Sequence, residues 1–204
     1  MNLHVYGESH GSRWMDIHID SLHINIHDIG PATASSFGFE STRVVNMEKD
    51  KVNPGEIVSF VMGEIDCRAH IHKYKNTYKD LIDEIVKHYF IGIKNVITVN
   101  DLIVLIPSIT PVPKYNPNIP EIYGIEKLPE GKDYERKVYV EYMNQKIKEE
   151  CEKYNYIFLD AYQEYCNEEG FLEPTLSDGG VHIGDTVYIA EKLQKIIENL
   201  KINL

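Results

Sequence analysis

Near the start of the chain, Ser9 sits within Gly7-Glu8-Ser9-His10-Gly11, directly after a short apolar-rich run from Leu3 to Tyr6. A serine in a glycine-flanked turn at the end of a strand presents its hydroxyl at the edge of a sheet, where a nucleophile must stand. The same residues satisfy the G-x-S-x-G pattern of α/β-hydrolases, but that elbow follows several strands, and the residues before Ser9 leave room for a single one. Near the other end, Ser177-Asp178-Gly179-Gly180-Val181-His182 puts an acid and an imidazole on one glycine-rich loop. There the carboxylate can orient the ring while the other ring nitrogen faces a nucleophile from elsewhere. Each motif taken alone has a plain alternative: a serine that only makes a turn, and a solvent histidine on a loop leading into a helix.

The nine histidines raise a second chemistry. His18, His23 and His27 share an acidic stretch with Asp16, Asp20 and Asp28, while Cys67, His70 and His72 follow Asp66, and these are the residue types a metallohydrolase uses. Spacing argues against a metal. No helix gathers His23 and His27 with the rest, and an H-x-H pair such as His70 and His72 arises often by chance. Neither a catalytic metal nor a cofactor is expected.

The elements that must position these residues alternate along the chain. Strands are expected over Leu3–Tyr6, Leu22–Ile26, Ile57–Met62, Leu102–Ile106 and Ile157–Leu159, from apolar runs that stop at glycine, proline or a turn. Leu81, Ile82, Ile85, Val86, Tyr89 and Phe90 recur at three- and four-residue spacing, which predicts an amphipathic helix over 78–93. Further helices are expected over 134–154 and 186–200. Strands alternating with helices imply a parallel sheet covered on both sides. Between Pro107 and Lys132 six prolines forbid a helix. A stretch of that length, following a strand's C-terminal end, reads as a crevice loop or as a surface excursion.

Composition bounds the partners. At 204 residues, with 43% hydrophobic and 26% charged side chains, the chain has the balance of one globular domain spanning 1–204. Its three cysteines, Cys67, Cys151 and Cys166, form no C-x-x-C spacing and cannot all pair, so a reducing compartment is the simpler expectation. A formal net charge of -11 without a basic run disfavours nucleic acid. No apolar segment approaches the ~20 residues that span a bilayer, and the first ten residues lack a signal pattern, so a cytoplasmic protein without membrane partners is expected.

Serine after the first strand and Asp-His before the last helix, taken together, give an order that resembles the SGNH, or GDSL-type, hydrolases over nearly the whole chain. Gly7-Glu8-Ser9-His10 is similar to the first family block, Gly-Asp-Ser, with Glu8 one methylene longer than the usual Asp. Ile29-Gly30-Pro31-Ala32-Thr33 is similar to the second, whose glycine lends a backbone N–H to the oxyanion hole. Gly63-Glu64-Ile65-Asp66-Cys67-Arg68 occupies the place of the third, and Asp178 to His182 that of the last. The resemblance implies an α/β three-layer sandwich with a central parallel sheet, flavodoxin-like in topology. It also implies hydrolysis of esters, often acetyl or other short acyl esters on carbohydrates, so the expected partner is a small-molecule or glycan ester. Ser9 would be the nucleophile, His182 the base and then acid, and Asp178 its orienter. Backbone N–H groups of Ser9 and Gly30 would form the oxyanion hole.

Two departures from the family pattern bear on these roles. Ile65 stands where the family has an oxyanion-hole asparagine; Arg68 is the candidate replacement donor, with an ion pair to Asp66 or Glu64 as the alternative. Asp178 lies four residues before His182 in place of the usual three, which a bulge at the extra glycine would absorb, or which leaves a Ser-His dyad. His10 and Asp66 are candidate substrate contacts. A non-catalytic SGNH fold that binds a glycan is the alternative from another class.

Overall fold

The computed structural model describes residues 1–114 and 129–202. Strands β1 (Asn2–Gly7), β2 (His23–Asp28), β3 (Ile57–Val61), β4 (Ile103–Pro107) and β5 (Ile157–Leu159) form one sheet in the order β2-β1-β3-β4-β5. Every pairing is parallel. That order is the doubly wound one of flavodoxin-like folds. The helices are α1 (Ser9–Ser12), α2 (Ala34–Val44), α3 (Tyr78–Val96), α4 (Asp133–Tyr154) and α5 (Val187–Ile202).

Alternation within each strand feeds two cores. Val58 and Phe60 of β3 pack with Phe37 of α2, Ile82, Val86 and Tyr89 of α3, and Val140 and Met143 of α4. Ile57 of the same strand joins Leu3 and Val5 of β1, Trp14, and Ile189, Leu193 and Ile197 of α5 on the opposite face. Successive side chains of a strand point to opposite faces, so a nearly continuous apolar run is what a sheet covered on both sides requires. Each such side chain, fully buried, stabilises by roughly 1.5–3 kcal/mol relative to exposure. The three-layer sandwich expected from the sequence is the one observed.

Strand register fixes where the site must lie. Gly7 is paired with Asp28 on one side and Val61 on the other, so β1, β2 and β3 end together at one edge of the sheet. The loops that carry Ser9, Gly30 and Gly63 therefore leave from a common edge.

Local structure differs from expectation in two places. The sequence gives no strong apolar stripe between Gly30 and Ile57, yet α2 forms there. A capping box starts it, with Thr33 Oγ1 accepting from the Ser36 N–H at 2.9 Å and Ser36 Oγ accepting from the Thr33 N–H at 3.1 Å. A π-turn over Asp66–His70 and a 3₁₀ stretch over Ile71–Thr77 also precede α3. The expectation for the proline-rich stretch falls mainly on residues 115–128, outside the described residues.

Candidate active site

Glu8 leaves β1 in extended conformation and caps α1, its carboxylate accepting from the His10 N–H at 3.2 Å. The turn lifts Ser9 to the surface while Glu8 and His10 point inward and are buried. Ser9 Oγ lies 2.8 Å from His182 Nε2, and His182 Nδ1 lies 3.0 Å from Asp178 Oδ2. The structure thus brings the two ends of the chain together through two hydrogen-bond contacts. Ser9 Oγ also lies 2.8 Å from Glu8 Oε2, so its single hydrogen has two acceptors within reach.

The loop accommodates the four-residue spacing by closing on itself. The Asp178 N–H donates to the His182 carbonyl at 3.1 Å, and the Gly180 N–H donates to Asp178 Oδ1 at 2.8 Å. Gly179 takes φ of +87°, a conformation that an L side chain rarely adopts, and so supplies the turn that returns His182 toward Asp178. Sequence reasoning missed Arg13, whose guanidinium forms an ion pair with Asp178 Oδ2. Its place four residues after Ser9 is the only signal the sequence offered.

Charge follows from these contacts. Burial opposes ionisation of Asp178, but the Gly180 N–H, His182 and Arg13 outweigh it and hold the carboxyl below its ordinary range. Burial, together with the nearby His10, keeps the His182 imidazole below its ordinary pKa against the pull of Asp178. These contacts favour the neutral form of the His182 ring.

Four expected site residues have protein partners in the structure. The Gly30 N–H, expected to face an oxyanion, donates to Asp28 Oδ1 at 2.7 Å, because Gly30 at φ +73° closes a turn at the end of β2. The Arg68 guanidinium pairs through Nε with Glu64 Oε1 at 2.6 Å, both side chains buried, so the ion-pair alternative is the geometry found. Asp66 is fully buried and accepts from the Ala34 N–H at 2.8 Å and the Ser35 N–H at 3.4 Å, which ties the third block to the start of α2. Burial raises its carboxyl to about 7 despite those bonds. His10 is 6% exposed and turned to Glu8 and Val181. Ile65 lines the groove.

The groove over Ser9 and His182 is open and is also bordered by Arg13, Asp16, Asp28 and Gly30. Of the residues considered for a metal, His27 stacks on Tyr6 with ring centroids 4.5 Å apart, and Cys67 packs against Met143. Among the described residues, no group of three or more His, Cys, Asp or Glu side chains is arranged to hold a metal ion. Also among them, no helix is long and apolar enough to cross a membrane.

The chain is similar in structure to a GDSL-like lipase from Bacteroides thetaiotaomicron, at 16% identity over 100% of this chain and 89% of that one, with a TM-score of 0.62. It is similar to a member of the lipolytic G-D-S-L family from Veillonella parvula at 12% identity, covering 97% and 98%, with a TM-score of 0.57. An acetyl xylan esterase aligns at 14% identity over 97% and 100%, with a TM-score of 0.54. By sequence, no protein-family model and no curated protein matches. The fold is that of the SGNH, or GDSL-type, hydrolases.

Proposed function

We propose that the protein is a serine esterase of SGNH type that hydrolyses short acyl esters, with a hydroxyl-rich alcohol such as a carbohydrate as leaving group. The observation that carries this reading is the relay from Ser9 Oγ through His182 to Asp178, at 2.8 and 3.0 Å. Ser9 Oγ attacks the ester carbonyl carbon as its proton passes to His182 Nε2, and Asp178 stabilises the imidazolium through Nδ1–H. Collapse of the tetrahedral intermediate breaks the C–O bond to the alcohol, which takes the proton from His182. Water then repeats the sequence on the acyl-serine and frees the acid.

The Ser9 backbone N–H is the oxyanion donor we assign, and the Gly30 N–H joins it on release from Asp28. Support for a polyol leaving group comes from Asp16 and Asp28 on the groove, whose carboxylates can accept from sugar hydroxyls. The acetyl xylan esterase that shares the fold is named for an ester of this kind.

The test is labelling with a fluorophosphonate, which reports an activated serine without the natural substrate, beside turnover of short-chain nitrophenyl esters. Wild-type protein should be labelled at Ser9 and should turn over; Ser9→Ala should do neither while keeping its melting temperature. Turnover at the wild-type rate in Ser9→Ala would remove the nucleophile from this account.

A further inference from the structure

His10 is buried beside the nucleophile, and nothing in the relay just described uses it. Its Nδ1 lies 3.2 Å from Glu8 Oε2 and 3.1 Å from Oε1, and its Nε2 lies 3.2 Å from the Val181 carbonyl oxygen. A carbonyl only accepts, so Nε2 donates to Val181; Glu8 Oε2 also accepts from the Ser9 hydroxyl at 2.8 Å and the His10 N–H at 3.2 Å, and toward an ionised Glu8 Nδ1 donates as well, which makes the ring an imidazolium. Opposite an ionised Glu8 a neutral ring would turn one lone pair onto an acceptor in a buried site, where such a mismatch costs roughly 1–3 kcal/mol. The Val181 carbonyl belongs to the residue directly before His182, and the His10 and His182 ring centroids are 4.6 Å apart.

We propose that His10 is a positioning residue, held as an imidazolium between Glu8 and Val181, that anchors the backbone of His182 and keeps the His182 ring neutral. The proposal rests on the reading of Ser9 and His182 as nucleophile and base. Charge disfavours like charge nearby, so a fixed cation against His182 opposes its protonation in the resting enzyme. The same cation neutralises Glu8, the rival acceptor for the Ser9 hydrogen, and leaves His182 Nε2 the better one.

The other groups around the pair fit this arrangement. His182 faces Asp178 on its own loop and Ser9 and His10 on α1, with Arg13 beyond Asp178 and Glu8 beyond Ser9. His10 faces Glu8 and His182, and the field of Glu64, in the turn that follows β3 and paired with Arg68, also reaches it. Burial works against a charged His10, yet the Glu8 carboxylate outweighs it and holds the ring above its ordinary range, while burial of Glu8 is likewise outweighed by His10.

The experiment is a residue-assigned NMR titration of the histidine rings, without substrate, in wild type and His10→Gln. In wild type both His10 ring nitrogens should carry protons at neutral pH. In folded His10→Gln, judged by a dispersed spectrum, the His182 midpoint should rise by about one pH unit, since the variant removes a cation and leaves Glu8 unpaired. The acid limb of kcat/KM should move up with it. A neutral His10 in wild type overturns the proposal even where the variant does not fold, and so does an unmoved His182 midpoint in a folded variant. The esterase reading fails separately, through fluorophosphonate labelling and Ser9→Ala.

Discussion

At the scale of single residues, the relay depends on Asp178 serving two partners. One of its oxygens faces both His182 Nδ1 and Arg13, and the other accepts from the Gly180 N–H. A carboxylate so held fixes the tautomer with hydrogen on Nδ1, which frees Nε2 for Ser9. Asp178→Asn should therefore cut kcat by about 10²- to 10⁴-fold with the fold intact. The pH profile gives a second readout. A base works only unprotonated, so kcat/KM should rise with pH through the His182 midpoint, which lies below the ordinary ~6.5 because of burial and His10. Loss of the Asp178 charge removes a group that favours the imidazolium, so the acid limb of Asp178→Asn should move lower still. Near-normal kcat in that variant would reduce the relay to a Ser-His dyad.

At the scale of elements, the α2–α3 contact is set by two glycines rather than by large side chains. A Cβ on Gly38 of α2 would stand 2.7 Å from the His88 carbonyl oxygen and 2.8 Å from its carbon, and one on Gly92 of α3 would stand 2.7 Å from the Phe37 carbonyl oxygen. These obstacles are backbone and cannot rotate away, so Gly38→Ala must push two helices apart. We expect a loss of about 1–3 kcal/mol in denaturant unfolding, with kcat per folded molecule unchanged because Ser9 and His182 stand on other elements. Lower kcat at full folded fraction would show that α2 supports the site directly. The chain that precedes α2 carries Gly30, and Asp66 ties the start of α2 to the third block, so such a path exists in the structure.

At the scale of the whole molecule, charge bears on which esters the proposed site would admit. The chain carries a formal net charge of -11, and Asp16 and Asp28 stand on the groove itself. Such a field repels anions from the groove and draws cations toward it. Raising ionic strength from about 0.01 M to about 0.15 M shortens the screening length from roughly 30 Å to 8 Å. Over that range kcat/KM should rise for an anionic aryl ester, fall for a cationic one and stay level for a neutral one. Identical salt profiles for all three would mean that Arg13 cancels the field at the groove.

The sequence by itself determined the architecture and marked the polar groups that the structure brings together at the groove. Buried strands such as Ile57–Val61 and the stripe of α3 follow from side-chain period, which is local information, and the order of strands and helices then leaves little choice but a covered parallel sheet. Ser9, Asp178 and His182 were legible because each sits in a glycine-marked turn beside a recognisable element. Helix α2 was harder to read, since its start is set by Thr33, Ser36 and the distant Asp66 while its buried face is made of Ala34, Phe37 and Ser41. What only the tertiary structure decided is which partner each polar group takes. Arg68 could face an oxyanion or a carboxylate, and Glu64 one turn away captures it once both are buried, because an unpaired buried charge costs more than the pair. The Gly30 N–H goes to Asp28, Asp66 goes to α2, and His10 goes to Glu8 and the Val181 carbonyl 171 positions away. Some of these partners are near in the chain and others remote, but the choice among them is made by distance and burial in the folded molecule, and no local pattern records it.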